Sequence, residues 1–131
     1  MYEYSWPSVL GHLTGTVYHN YSRGGMTAKE FYESYADQNG FWQWNQAYII
    51  ALGNNDVFVL NHPVGSALDI HPENPKANPD TFFGNMGRIV SKLKRIEKDA
   101  RIFLVSNQYS FRPSVHSCSN PWHSDGSQAQ R

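Results

Sequence analysis

Leu52-Gly53-Asn54-Asn55-Asp56 follows the apolar stretch Tyr48 to Ala51, so two carboxamides and a carboxylate stand where a buried strand would deliver them to a loop. Open α/β folds keep their chemistry at the carboxyl ends of strands. A second polar turn, Asn20 through Thr27, contains Gly24-Gly25 and leads into a helix, whose first backbone amides are unpaired donors. Brought together, the Asn55 carboxamide and the Gly25 amide would form an oxyanion hole, donating to a carbonyl oxygen as it gains negative charge. Asp56 would support both loops by accepting backbone hydrogen bonds, and Arg23 would pair with Asp56 or with an acidic substrate. The competing reading is structural, with Asn54-Asn55-Asp56 a turn that satisfies its own backbone and Gly24-Gly25 a tight bend.

Other reactive side chains are more scattered. His62 beside Pro63, together with Asp69 and His71, offers an acid–base or metal-binding patch on one long loop, with a plain surface role as the alternative. His116, Cys118 and His123 have the chemistry of zinc ligands, and Asp125 follows close behind. Without a scaffold they make neither a closed metal site nor a relay, which needs convergence on a nucleophile. No metal and no cofactor is therefore assigned. Trp6, Trp42, Trp44 and Trp122 would line a groove for an apolar or sugar-like group, or serve as core and helix cover.

The elements that must position these groups follow from pattern. Ser5, Pro7 and the apolar set Trp6, Val9, Leu10 and Leu13 predict a helix that Gly15 ends. Thr16 to Tyr21 reads as a short strand, and Thr27-Ala28-Lys29-Glu30 as a capping box opening a helix that carries Phe31 and Tyr35 and stops at Gly40. Phe41-Trp42-Gln43-Trp44 reads as connector or packing cover. Gln46 to Leu52 is the strongest strand. Val57 to Asn78 is a long excursion rich in Pro, Asn and Gly, of the kind used as a lid or binding loop. Asp80 to Lys98 carries Phe82, Phe83, Met86, Ile89, Val90, Leu93 and Ile96 at helical spacing, with cations in its last half. Ile102 to Val105 closes the pattern as a buried strand, and the alternation of strand and helix argues for a parallel α/β sheet. Residues 1–106 form the domain on this reading, and 107–131 an irregular C-terminal tail.

Composition narrows the classes of function. A chain of 131 residues with 40% hydrophobic and 15% aromatic content holds one domain with a core. Eleven basic and eleven acidic side chains cancel, which leaves no long-range attraction for nucleic acid or an anionic membrane. The lone cysteine has no internal disulfide partner, and the N-terminus has neither a basic head nor an apolar leader core. Cytoplasmic is the default expectation, with a leader lost by truncation as the exception.

At its two polar loops the chain resembles the SGNH (GDSL-type) hydrolase family of esterases, lipases and carbohydrate O-deacetylases. Asn20 through Gly25, with Thr27 close behind, matches the family's second block, and Gly53-Asn54-Asn55-Asp56 matches its Gly-x-Asn-Asp block. Trp6-Pro7 and the following helix look like the helix after the nucleophile loop, so the likeness runs from about Trp6 to Ser106. The resemblance implies a flavodoxin-like three-layer parallel sheet, with Gly25 and Asn55 at the oxyanion-hole positions. It also implies a serine nucleophile in a Gly-Asp-Ser loop ahead of Trp6 and a C-terminal Asp-x-x-His block, and neither is found in this sequence. The expectation is therefore an incomplete SGNH fold, missing its first strand and C-terminal elements, with weak or no hydrolysis of small esters or acylated carbohydrates. A missing strand exposes a sheet edge through which copies would associate as a homo-oligomer. The alternatives are weak hydrolysis through a noncanonical nucleophile such as Ser22 or through assembly with a separately encoded segment, or a non-catalytic ligand-binding or self-associating module.

Overall fold

A computed structural model describes residues 5–106. The tail over 107–131, with His116, Cys118, Trp122, His123 and Asp125, lies outside the described residues.

Helix α1 spans Trp6–Thr14, with Pro7 in its first turn, where a missing N–H costs nothing. It ends at Gly15, whose φ of 69° is the left-handed conformation that lets its N–H return to the Gly11 carbonyl at 2.9 Å. The expected apolar face of α1 is not buried: Trp6 is 55% and Leu13 80% exposed.

Helix α2 runs in three consecutive pieces, an α-helical turn Ala28–Glu30, a π-helical turn Phe31–Tyr35 and a closing α-helical turn Ala36–Gln38. Thr27 caps it by accepting the Glu30 N–H at 3.1 Å. The return half of the capping box is not made, because the Glu30 carboxylate is taken by Arg23. After Gly40, Phe41 and Trp42 fold back onto the helix, with the Phe41 ring 4.8 Å from Phe31 in edge-to-face contact. Trp44 departs from the expected cover role, since it is 60% exposed and donates its indole N–H to Glu97.

Strand β1 spans Ala47–Ile50 and strand β2 Arg101–Leu104; they pair in parallel with Ala47 opposite Arg101. Helix α3, Phe82–Ile96, crosses between them. It starts two residues later than expected, because Thr81 is the cap, its hydroxyl accepting the Gly84 N–H at 3.0 Å. Met86, Ile89 and Leu93 on one face of α3 meet Tyr48 and Ile50 of β1 together with Met26, Ala28, Phe31 and Ala36. That is the core, and it lies on one face of the sheet.

Three further expectations are corrected. The strand expected to be buried over Ile102 to Val105 runs over Arg101–Leu104 and is mostly exposed, Phe103 at 52% and Leu104 at 59%, since Ile102 alone of its side chains packs against the core. Thr16–Tyr21 is not a strand but an irregular segment with Val17 84% exposed, and the described residues hold two strands where three were expected. β-branched and aromatic residues favour an extended backbone, yet a ladder needs a neighbouring strand, and none lies beside this segment among the described residues. The excursion from Val57 to Asn78 is not a free lid either. It begins inside a π-helical turn, Asn55–Val59, contains 3₁₀ turns at Ala67–Asp69 and Pro75–Ala77, and is tied down onto α3. The Asn78 side chain, 3% exposed as a residue, accepts from the His71 amide at 2.8 Å and donates to the Gly84 carbonyl at 3.0 Å.

Candidate functional site

The two polar loops converge. Asp56 is 1% exposed, and both of its carboxylate oxygens accept the Ala28 amide, at 3.0 and 3.1 Å, at the first turn of α2. A carboxylate at a helix N-terminus meets unpaired donors and the positive end of the helix dipole. Burial nevertheless dominates its ionisation and pushes the Asp56 carboxyl above its ordinary value, with the Ala28 hydrogen bond as the main opposing influence. Asp56 is thus a tie between loops, and its position comes from Gly53, whose φ of 118° turns the chain out of β1, and from the helical turn that starts at Asn55.

Asn55 joins the same loops from the other side. Its Nδ2 donates to the Met26 carbonyl at 3.0 Å, which places the carboxamide beside the residue that follows Gly25. A carboxamide has two N–H donors, and the second has no acceptor among the described residues. Gly25 adopts a φ of 77° in a turn closed by Met26 N–H on the Arg23 carbonyl, at 3.4 Å. Its own amide meets no acceptor among the described residues. The structure therefore brings Asn55, Asp56 and the Gly25 turn into one place.

Of these groups Asn55, together with Arg23 and Met26 on either side of the Gly24-Gly25 turn, lines a cleft of about 350 Å³ between α1, the segment from Thr16 to Arg23, and β1; Gly25 and Asp56 do not line it. Trp6, Leu10, Val17, Tyr18 and Ile49 make much of it apolar, and Asn55 lies at the end where β1 finishes. Ser22 and His19 also line it. The Ser22 amide donates to Asn20 Oδ1 at 2.9 Å, and no hydrogen bond connects Ser22 to His19 among the described residues. An activated nucleophile is not assembled within the described residues.

Other expected pairings dissolve. Arg23 does not reach Asp56; it pairs with Glu30 and lies 4.9 Å over the Tyr35 ring. Asp69 and His71 do not form a patch, because the Asp69 carboxylate accepts from the Ser66 amide and the Thr81 hydroxyl, at 3.1 and 2.8 Å. No cluster of metal-ligating side chains occurs among the described residues. Sequence reading missed Asp80, which collects Lys29, the Asn85 carboxamide at 3.0 Å and His62 Nε2 at 3.2 Å. The Lys29 ammonium, ahead of Asn85, lowers the Asp80 carboxyl to about 2, and Asp80 in turn raises Lys29. Lys29 and His62 come from distant stretches of chain, 51 and 18 residues away, and leave no local signal.

No family model matches the chain, and no curated protein and no solved structure matches it either. No helix among the described residues is long and apolar enough to cross a membrane.

Proposed function

We propose that the chain is an incomplete hydrolase domain of the SGNH type, built on part of a flavodoxin-like three-layer sheet, with an oxyanion side to its site and no nucleophile–base pair among the described residues. The observation that supports this most is the double tie, Asp56 to Ala28 and Asn55 to Met26, because it gathers the Gly25 and Asn55 donors at the end of a strand where an ester carbonyl can be held. The substrate class is a small ester or an acylated carbohydrate, with the acyl group against the apolar wall of the cleft. Donors alone stabilise the tetrahedral oxygen without supplying the attacking group, so turnover is slow.

p-Nitrophenyl acetate hydrolysis by the purified, size-fractionated chain tests this reading. The expected result is a low rate that falls to the buffer background in Asn55→Ala, one oxyanion donor contributing roughly 10²- to 10³-fold. A rate that Asn55→Ala leaves unchanged would overturn the role of Asn55. Saturable binding of an acylated sugar without product marks instead a non-catalytic binding module, a second reading that the absence of a base bonded to Ser22 among the described residues favours. Self-association of copies through the open edge of β1 belongs to the same second reading.

A further inference from the structure

Among the described residues β1 has one edge paired and one edge open, and the open edge faces the cleft. Arg101 donates its N–H to the Gln46 carbonyl at 3.1 Å and Val105 to the Ile50 carbonyl at 2.9 Å, so the even-numbered residues of this strand direct their polar backbone groups to β2. Backbone groups alternate sides along a strand, which turns the N–H and C=O of Ala47, Ile49 and Ala51 away from β2. These groups find no partner among the described residues, and all three residues line the cleft. Across from them stand Trp6 and Leu10 of α1 and the segment holding Val17 and Tyr18.

We propose that this cleft takes up a peptide in extended conformation, about five residues long, which adds to β1 as a third strand of the sheet. Donors and acceptors on the open edge repeat every second residue, roughly 6.6 Å apart, and an extended backbone is the ligand whose own groups share that repeat. Its chemistry is uncharged, with small or apolar side chains. The lining offers Ala47, Ile49, Val17 and Leu10, and its cation Arg23 is already held by Glu30. A second copy of the chain fits less well. Its β1 would arrive with the α1 and Thr16–Arg23 walls of its own cleft, whereas a free peptide carries no walls. The inference needs the cleft and the open edge, and does not depend on Gly25 or Asn55 acting on an ester.

The probe is the peptide acetyl-Val-Thr-Val-Thr-Val-amide at millimolar concentration, added to the isotope-labelled full chain while amide hydrogen exchange is followed residue by residue. Exchange at Ala47, Ile49 and Ala51 is expected to slow about tenfold or more, and the same peptide N-methylated at its three central residues is expected to have no effect. Ile49→Pro removes an outward N–H while leaving the β2 ladder intact, and is expected to weaken peptide binding about tenfold. Should that variant fail to fold, the N-methylated peptide still decides, since it requires no change to the protein. No slowing, equal slowing by the N-methylated peptide, or sedimentation showing that the edge is occupied in a dimer would each overturn the proposal, as would Asn55→Ala abolishing the effect in a folded protein.

Discussion

β1 presents two environments within a few residues. Tyr48 and Ile50 are each 5% exposed, packed against α2 and α3, while Ile49 between them is 45% exposed. The alternation of a strand sets this difference, since neighbouring side chains must leave on opposite faces and one face alone is covered by helix. On the covered side the polar groups are satisfied as well: Tyr48 Oη donates to the Gln43 carbonyl and accepts the Asn45 amide at 3.0 Å. Ile49, on the other face, also lines the cleft, and the backbone groups of Ala47, Ile49 and Ala51 along the strand edge have no partner among the described residues. Stability is therefore tied to the first region, and the proposed peptide binding draws on the second.

The largest expected effect tests the covered side. Leu93, fully buried on α3, should cost about 2–5 kcal/mol on replacement by alanine, whereas Leu13→Ala, on a side chain that is 80% exposed, should stay within about 0.5 kcal/mol. Urea unfolding of both variants measures the contrast, and an equal loss from Leu13→Ala would mean that α1 is covered in solution. Next comes the tie between the two regions. Asp56→Ala removes the acceptor of the Ala28 amide and should cost roughly 1.5–3 kcal/mol, with Asp56→Asn milder because one oxygen still accepts.

The smallest effect is a matter of pH, and the two carboxylates should act with opposite sign. Burial raises Asp56, so the share of stability linked to its protonated form is complete below the unfolded value near 3.8 and is lost as pH rises through the folded value. Asp80, lowered to about 2, contributes fully above about 4 and loses its share as pH falls from there through 2. Its side chain is 49% exposed, so solvent screening holds that contribution below about 1 kcal/mol. Asp80→Asn should flatten the acid limb of stability against pH, and Asp56→Asn should flatten the rise-linked loss; the reverse assignment would break the comparison.

What could be read in the sequence was what local chain physics decides. The 3.6-residue spacing from Phe82 to Ile96, the Thr27 cap, the stop at Gly15 and the apolar run of β1 each carry their own signal. Thr16–Tyr21 misled because extended propensity does not provide a partner strand. Exposure of the α1 face was equally invisible, since a periodic apolar stripe shows what a helix can cover and not whether anything meets it. At the site, Asn55 and Asp56 stood out by residue type and position. Their actual partners, Met26 and Ala28, are backbone groups that no side-chain pattern announces.

The π-helical turn Phe31–Tyr35 also sets a phase. Ala28 and Ala36, at either end of it, are both 0% exposed, although eight residues of unbroken α-helix would leave them roughly 80° out of alignment. A π turn winds less per residue, and it returns the second alanine to the side of the first. The helix can thus be keyed to Asp56 at its start and to the core at its end. In that sense the turn works as a vernier, letting the position of the loops be trimmed without retuning the core.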